Sequence, residues 1–358
     1  MPASSIDTFF ACSLMVILIA SAMVSTAKLV QPYLNDLTNV NGVDRCRSLA
    51  EYMLLDPGNP SDWGKTESTN PSTFGIAAKN LQPYALDPDK VSRLNSENAF
   101  SLTYQQLLAA LGTSDMSLNM RIQPVFQVSV DLVSNQSMGS GTTYTFEVYT
   151  KKSGFPIATR LNCYVTTGSY VENVTSCTNA DGEGTANVTL PNSLSGTTLL
   201  AVFARAQAYP QMMSFNAYSF GHNSEAPLPN RTFLRLSPLD HTLNVSLRGS
   251  DLEVSEAYVF TYSYHFSLSS TASGNRSLEY DVPSLSEASP EILVLNGNNG
   301  STSFSEWTTY PQLPLEIGAD LSDLNARSKA IALTYVVSID SVLYEAMITC
   351  RSVPYEDA

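Results

Sequence analysis

Tyr144-Thr145-Phe146-Glu147-Val148-Tyr149 decides the fold class. The run is dense in aromatic and β-branched residues and is set off by Gly, Asn and Ser, which is the composition of a short strand between turns. Similar runs surround it: Val125-Phe126-Gln127-Val128-Ser129-Val130, Leu161 to Val165 and Leu199 to Ala204. Short strands at this spacing predict a β-sandwich over Ile122 to Phe220. Upstream, Leu118, Met120 and Ile122 fall on one face at period two and predict a further strand. Downstream, Tyr258 to Leu268 and Ile331 to Ile348 are the strongest strand runs, the second broken at Asp340-Ser341 as in a hairpin, with Asn296 to Gly300 as a loop. These last strands either form a separate sandwich or complete a sheet begun by Leu118 to Ile122, with the first sandwich as an insertion.

The N-terminus is of another kind. Thr8 to Ala27 (TFFACSLMVILIASAMVSTA) is uncharged and bracketed by Asp7 and Lys28. At about 1.5 Å per residue such a helix just spans a hydrocarbon core of about 30 Å. A retained membrane anchor is the expectation, because the segment before the run is acidic and the run exceeds a usual signal core. A cleaved signal ending at Ser25-Thr26-Ala27 and a buried globular helix are the other readings. Val30, Tyr33, Leu37 and Val40 then recur at three- and four-residue spacing, extending the helix as an apolar stripe. Pro32 kinks it and Asn41-Gly42 interrupts it.

Between the two regions the pattern is mixed. Val43 to Leu55 reads as a helix stopped by Asp56-Pro57-Gly58. Asp87-Pro88 gives a cap and a first-turn proline for a short helix through Leu94, and Thr103 caps a second, Tyr104 to Leu111, closed by Gly112. The expected segments are residues 1–42, 43–120, 121–228 and 229–358.

With 43% hydrophobic residues, 18 Tyr and 14 Phe, the chain can build real cores. A net charge of −14 argues against nucleic acid, which demands stripes of Lys and Arg. Seven Asn-X-Ser/Thr sequons, at Asn135, Asn173, Asn187, Asn230, Asn244, Asn275 and Asn299, all follow the apolar run, while Asn70 is excluded by Pro71. They agree with export of the downstream part. Cys12 lies inside the run; Cys163 and Cys177 share one β region and are the expected local pair, which leaves Cys46 with Cys350.

Two resemblances add to this reading. Ser153-Gly154-Phe155-Pro156-Ile157 followed by Thr178 to Leu190 (TNADGEGTANVTL) resembles the Ig-like surface repeats of microbial adhesins and the carboxypeptidase-regulatory-like sandwiches, which implies a fold and no activity. The apolar start with its amphipathic continuation resembles the type IV pilin-like proteins, especially archaeal ones. Leu54 to Gly64, Phe74 to Ala77 and Leu86 to Val91 are similar to archaeal envelope proteins with such N-termini. The pilin likeness implies a cell-surface filament subunit, assembling with copies of itself through Phe9, Leu14, Ile17, Val30, Tyr33, Leu37 and Val40. The fold expected is therefore mainly β with a long hydrophobic N-terminal helix, an Ig-like sandwich and a second β-rich domain. A membrane-anchored surface protein that binds a glycan or another protein is the alternative function.

No catalytic constellation emerges. His222, His241 and His265 lack metal-like spacing and read as solvent-facing or packed. Asp181-Gly182-Glu183-Gly184 is a hairpin with calcium as a minor option, no other cofactor being expected. Glu316, Asp320 and Asp323 read as a solvated acidic face, and Tyr209, Phe215, Tyr218 and Phe220 as a sandwich edge or a binding platform.

Overall fold

The computed structural model describes residues 15, 23, 24, 26, 28, 42–79, 82–113, 115–274, 276–300, 302–321 and 330–352. The chain divides into two compact units, Met1–Ala50 and Glu51–Ala358. In the first, the described residues, including 42–50, are helical. The long membrane-spanning helix expected over Thr8 to Ala27 is corrected: among the described residues no helix is long and apolar enough to cross a bilayer. Residues 42–50 carry Asp44, Arg45 and Arg47, and ionised side chains are costly in hydrocarbon. The expected assembly residues Phe9, Leu14, Ile17, Val30, Tyr33, Leu37 and Val40 lie outside the described residues, as does Asn275.

The described residues are 54% strand and 11% helix, so antiparallel sheets carry the fold's stability. In the second unit, residues 51–55 are helical, followed by α1 (Pro88–Ser92) and α2 (Tyr104–Leu111). The caps act as the sequence dictates. Asp87 accepts from the N–H groups of Asp89 and Lys90. Thr103 and Gln106 form a reciprocal capping box, and Gly112 closes α2 in the left-handed region at φ 64°.

Among the described residues twenty strands follow. The first sandwich faces a sheet of β2 (Gln127–Met138), β3 (Gly141–Lys152), β4 (Phe155–Pro156) and β7 (Glu183–Pro191) against a sheet ordered β6-β5-β8-β9. The latter strands are β5 (Thr159–Thr167), β6 (Tyr170–Cys177), β8 (Gly196–Ala206) and β9 (Met213–His222). Phe126, Phe146, Val148, Val188, Cys163 and Val202 fill the space between. The second sandwich opposes β10 (Leu234–Leu239), β11 (Thr242–Leu247), β15 (Ser277–Asp281) and β14 (Ser270–Ser273) to β13 (His265–Ser267), β12 (Leu252–Phe260), β16 (Glu291–Asn299) and β17 (Thr302–Tyr310). Leu234, Leu243, Val259, Leu293 and Phe304 make its core. The expected continuous strand Tyr258 to Leu268 is a hairpin instead, turned where the Thr261 N–H donates to the Tyr264 carbonyl and the Tyr264 N–H to Thr261 Oγ1.

Parity along single strands shows how the sandwiches meet. On β8, Leu200, Val202 and Ala204 enter the first core, whereas Leu199, Ala201 and Phe203 enter a third cluster. On β16, Leu293 and Leu295 enter the second core while Ile292 and Val294 join that same third cluster, together with Tyr258 and Phe260 of β12. The inner sheets thus pack on each other, and the two sandwiches form a stack of four sheets. This is why β8 and β16 read as unbroken apolar runs and β3 as an alternation: strands covered on both faces have no solvent side to make polar.

The last sheet is ordered β18 (Leu315–Gly318), β1 (Met116–Pro124), β20 (Val342–Ser352), β19 (Ile331–Ile339). β1 precedes both sandwiches and its partners follow them, so both lie between two halves of one sheet. The expected segment 229–358 accordingly divides, its end pairing with residues 116–124.

Cys46 and Cys350 form a disulfide. The expected Cys163–Cys177 bridge is corrected, both thiols being free. On the β5–β6 hairpin Cys177 stands opposite Arg160 and Cys163 opposite Val174. The odd offset puts one thiol in the core and the other in solvent, where no rotamer joins them.

Candidate functional site

The three stretches Leu54 to Gly64, Phe74 to Ala77 and Leu86 to Val91 fold into one support. Trp63 is fully buried and its Nε1–H donates to the Gly75 carbonyl at 3.0 Å. Glycine is required at 64 and 75 because a Cβ would lie 2.6 Å from the Lys90 backbone nitrogen in the first case and 2.2 Å from the Asp56 carbonyl oxygen in the second. Lys90, also fully buried, donates through Nζ to the carbonyls of Pro57 and Ala77, each at 2.9 Å. Burial pulls its pKa down. Arg93 donates to the carbonyls of Trp63, Thr66, Thr69 and Phe100 while its guanidinium covers the Trp63 ring. These two buried cations tie loops to α1 by backbone carbonyls, with no carboxylate needed.

So held, α1 meets the second sandwich, and Leu86 just before it donates its N–H to the Ser338 carbonyl of β19. Asp89 accepts the Tyr310 O–H at 2.6 Å and the Asp240 N–H at 2.7 Å. Burial still holds its carboxyl above the usual carboxylate range. Next to this junction is a cavity of about 290 Å³, lined by residues that include Pro88, His241, Glu291, Tyr310, Asp340 and Ser341, together with the loop 284–289. Five separate stretches of chain contribute. Asp340 and Ser341 also border a second opening of about 650 Å³ along Tyr84 to Leu86 and Val336 to Ser338.

Two hairpin tips frame the cavity. Asp240-His241 joins β10 to β11 and Asp340-Ser341 joins β19 to β20, and all four residues have φ between 45° and 67°. Such two-residue turns favour Asn-Gly or Asp-Gly, because only glycine takes the left-handed region without cost. Here His241 and Ser341 occupy the glycine positions and line the cavity. Strain kept where a smaller residue would relieve it points to a functional role. The His241 ring lies edge-on to Tyr310 at 5.6 Å.

Glu291 is the singular group. It is 8% exposed, and its Oε2 has no hydrogen-bond partner. Burial, with Asp340 nearby, pushes its carboxyl up to about 8; Asp340 itself sits on an exposed hairpin tip, where partial desolvation raises its carboxyl against the pull of His241. Glu306 is as buried but differently placed, because its two oxygens accept the N–H groups of Phe233 and Leu234. A buried acid with its partners in place is structural; one without them is available to something else.

The other sequence candidates fall elsewhere. Asn135, Asn173, Asn187 and Asn299 are exposed. Asn244 is half-buried on β11, and Asn230 is bound on both sides of its amide to the Trp307 backbone, at 2.9 Å each, so its nitrogen is engaged in the fold. The Asp181–Gly184 turn is closed by Asn179, whose Oδ1 accepts the N–H groups of Asp181 and Glu183. The Gly182 carbonyl accepts from Thr150. His222 is buried between Tyr144 and the Pro191 carbonyl, at 2.8 and 3.0 Å, and His265 packs on Phe260 and Tyr164. Glu316 pairs with Arg121 at 3.6 Å, and Asp323 lies outside the described residues. Phe215 and Phe220 are buried in two different cores, so they form no platform with the exposed Tyr209.

Sequence reasoning did not find Glu291 and Tyr310, set Asp340 aside as a hairpin tip and left His241 among packed or solvent-facing histidines. A signal existed in Asp240-His241 and Asp340-Ser341, each a two-residue turn between strands with a side chain where glycine is preferred, and in Glu291, an acid opening an apolar run. The chain matches no protein-family model and no curated protein.

Proposed function

We propose that this is an extracellular recognition protein of the cell envelope, in which the stacked sheets form a rigid frame and the cavity beside α1 is the binding site. The carrying observation is the buried, unpaired Glu291 carboxyl in a cavity assembled from five stretches of chain. Proteins tolerate such a group where a ligand completes it. The Cys46–Cys350 disulfide and the exposed sequons at Asn135, Asn173, Asn187 and Asn299 support the location, since disulfides persist in oxidising compartments.

A membrane-impermeant maleimide on intact cells tests the location. Cys177 is exposed and free, so it labels without reductant, and Cys46 and Cys350 label only after reduction. A chain that labels only after lysis, or on all of these cysteines without reductant, contradicts the reading.

A further inference from the structure

The acids around the cavity differ in what they already hold. Asp87 Oδ1 accepts the N–H groups of Asp89 and Lys90, at 3.1 Å each. Asp89 is taken by Tyr310 and Asp240. Asp240 faces the Lys65 ammonium at 3.4 Å. Glu287 accepts from Arg205 at 3.2 Å, Thr261 Oγ1 at 2.8 Å and Ser263 Oγ at 2.6 Å. Only Glu291 and Asp340 remain. Among the described residues Glu291 Oε2 has no hydrogen-bond partner, Asp340, exposed on its hairpin tip, is attracted only by His241, and no Lys or Arg lines the cavity.

From this we infer that the cavity binds a primary ammonium group, which donates to Glu291 on one wall and Asp340 on the other, with its alkyl chain against the Tyr310 and His241 rings. The inference rests on the recognition reading above and names its ligand class. An ammonium has three donors in a tetrahedral array and suits two carboxylates on different walls plus a hydroxyl such as that of Ser341. A guanidinium prefers both oxygens of one carboxylate in a plane. Hard metal ions collect six or more oxygens, and among the described residues no three His, Cys, Asp or Glu side chains converge to hold one. Tyr310 already donates its O–H to Asp89, so it offers the ring, whose face attracts a cation.

Calorimetric titration of the full-length chain with n-butylammonium chloride tests the proposal, with n-butanol, calcium chloride and Nα-acetyl-lysine N-methylamide as comparisons. One butylammonium binds per chain, butanol does not, and Glu291→Gln and Asp340→Asn each weaken binding at least tenfold while the thermal transition is kept or raised. Tighter binding of the capped lysine assigns the ammonium to a protein side chain, and tighter binding of butylammonium to a free amine; either result supports the proposal. Calcium binding that the same variants abolish, ammonium binding that they leave unchanged, or no binding at all overturns it. Maleimide labelling reads location alone, so failure of the ligand and failure of the extracellular reading remain distinct.

Discussion

Glu291 and Glu306, on paired strands β16 and β17, show how little a residue's identity says about its role without its surroundings. Both are buried, but Glu306 holds two backbone N–H groups and Glu291 faces a cavity. The Glu291 carboxyl, near Asp340 and Tyr310 on the cavity wall, is raised to about 8 in the folded chain and stays ordinary in the unfolded one. The folded state therefore binds the extra proton. Stability falls as pH rises from about 4.5 to about 8 and is flat in this contribution above that, by about 2 to 5 kcal/mol in all. Glu291→Gln removes that part of the slope and stabilises the protein most above pH 8, which denaturant unfolding across the range measures. Arg93→Met leaves the buried Trp63 carbonyl and three part-buried carbonyls short of a donor and costs about 3 kcal/mol by the same assay. Asp87, Thr103 and Gly112 were legible in the sequence because a cap is settled within four residues. Glu291 was not, because the wall around it comes from residues as scattered in sequence as Pro88, His241, Tyr310 and Asp340.

At the scale of elements, strand type was legible where one face meets water and ambiguous where none does. β3 alternates and fixes its own register; β8 and β16 are apolar on both faces, a pattern that tells of two neighbours without saying which. The cysteines show the same limit. Sequence proximity placed Cys163 with Cys177, but strand parity sends them to opposite faces, and the bridge is Cys46–Cys350. Cys350→Ser lowers stability by about 2 to 5 kcal/mol, most of it through a freer unfolded chain, whereas Cys177→Ser changes it by less than about 0.5 kcal/mol. Thermal unfolding of both variants under one buffer separates the two. The capping box makes a smaller demand: Thr103→Ala costs about 1 kcal/mol.

At the largest scale, residues 51–358 hold a stack in which two sandwiches share a buried inner layer, and a fifth sheet is built from strands that precede and follow them in sequence. Phe203, fully buried against the inner face, belongs to this shared layer and to neither sandwich core. Phe203→Ala costs about 3 to 5 kcal/mol, and because the layer is common, both sandwiches lose stability together in hydrogen exchange. Loss confined to β2–β9 contradicts the shared layer. The sequence left open whether the last strands stand alone or return to Leu118 to Ile122, since pairing across more than two hundred residues leaves no local mark. That return brings Asp340 to Glu291 and creates the cavity. The most direct measurement is a crystal structure of the full-length chain grown with n-butylammonium. The ammonium nitrogen is expected within hydrogen-bond distance of both Glu291 and Asp340, with the alkyl chain against Tyr310; a cavity without it, its carboxylates joined by a protein donor or a metal ion, contradicts ammonium recognition.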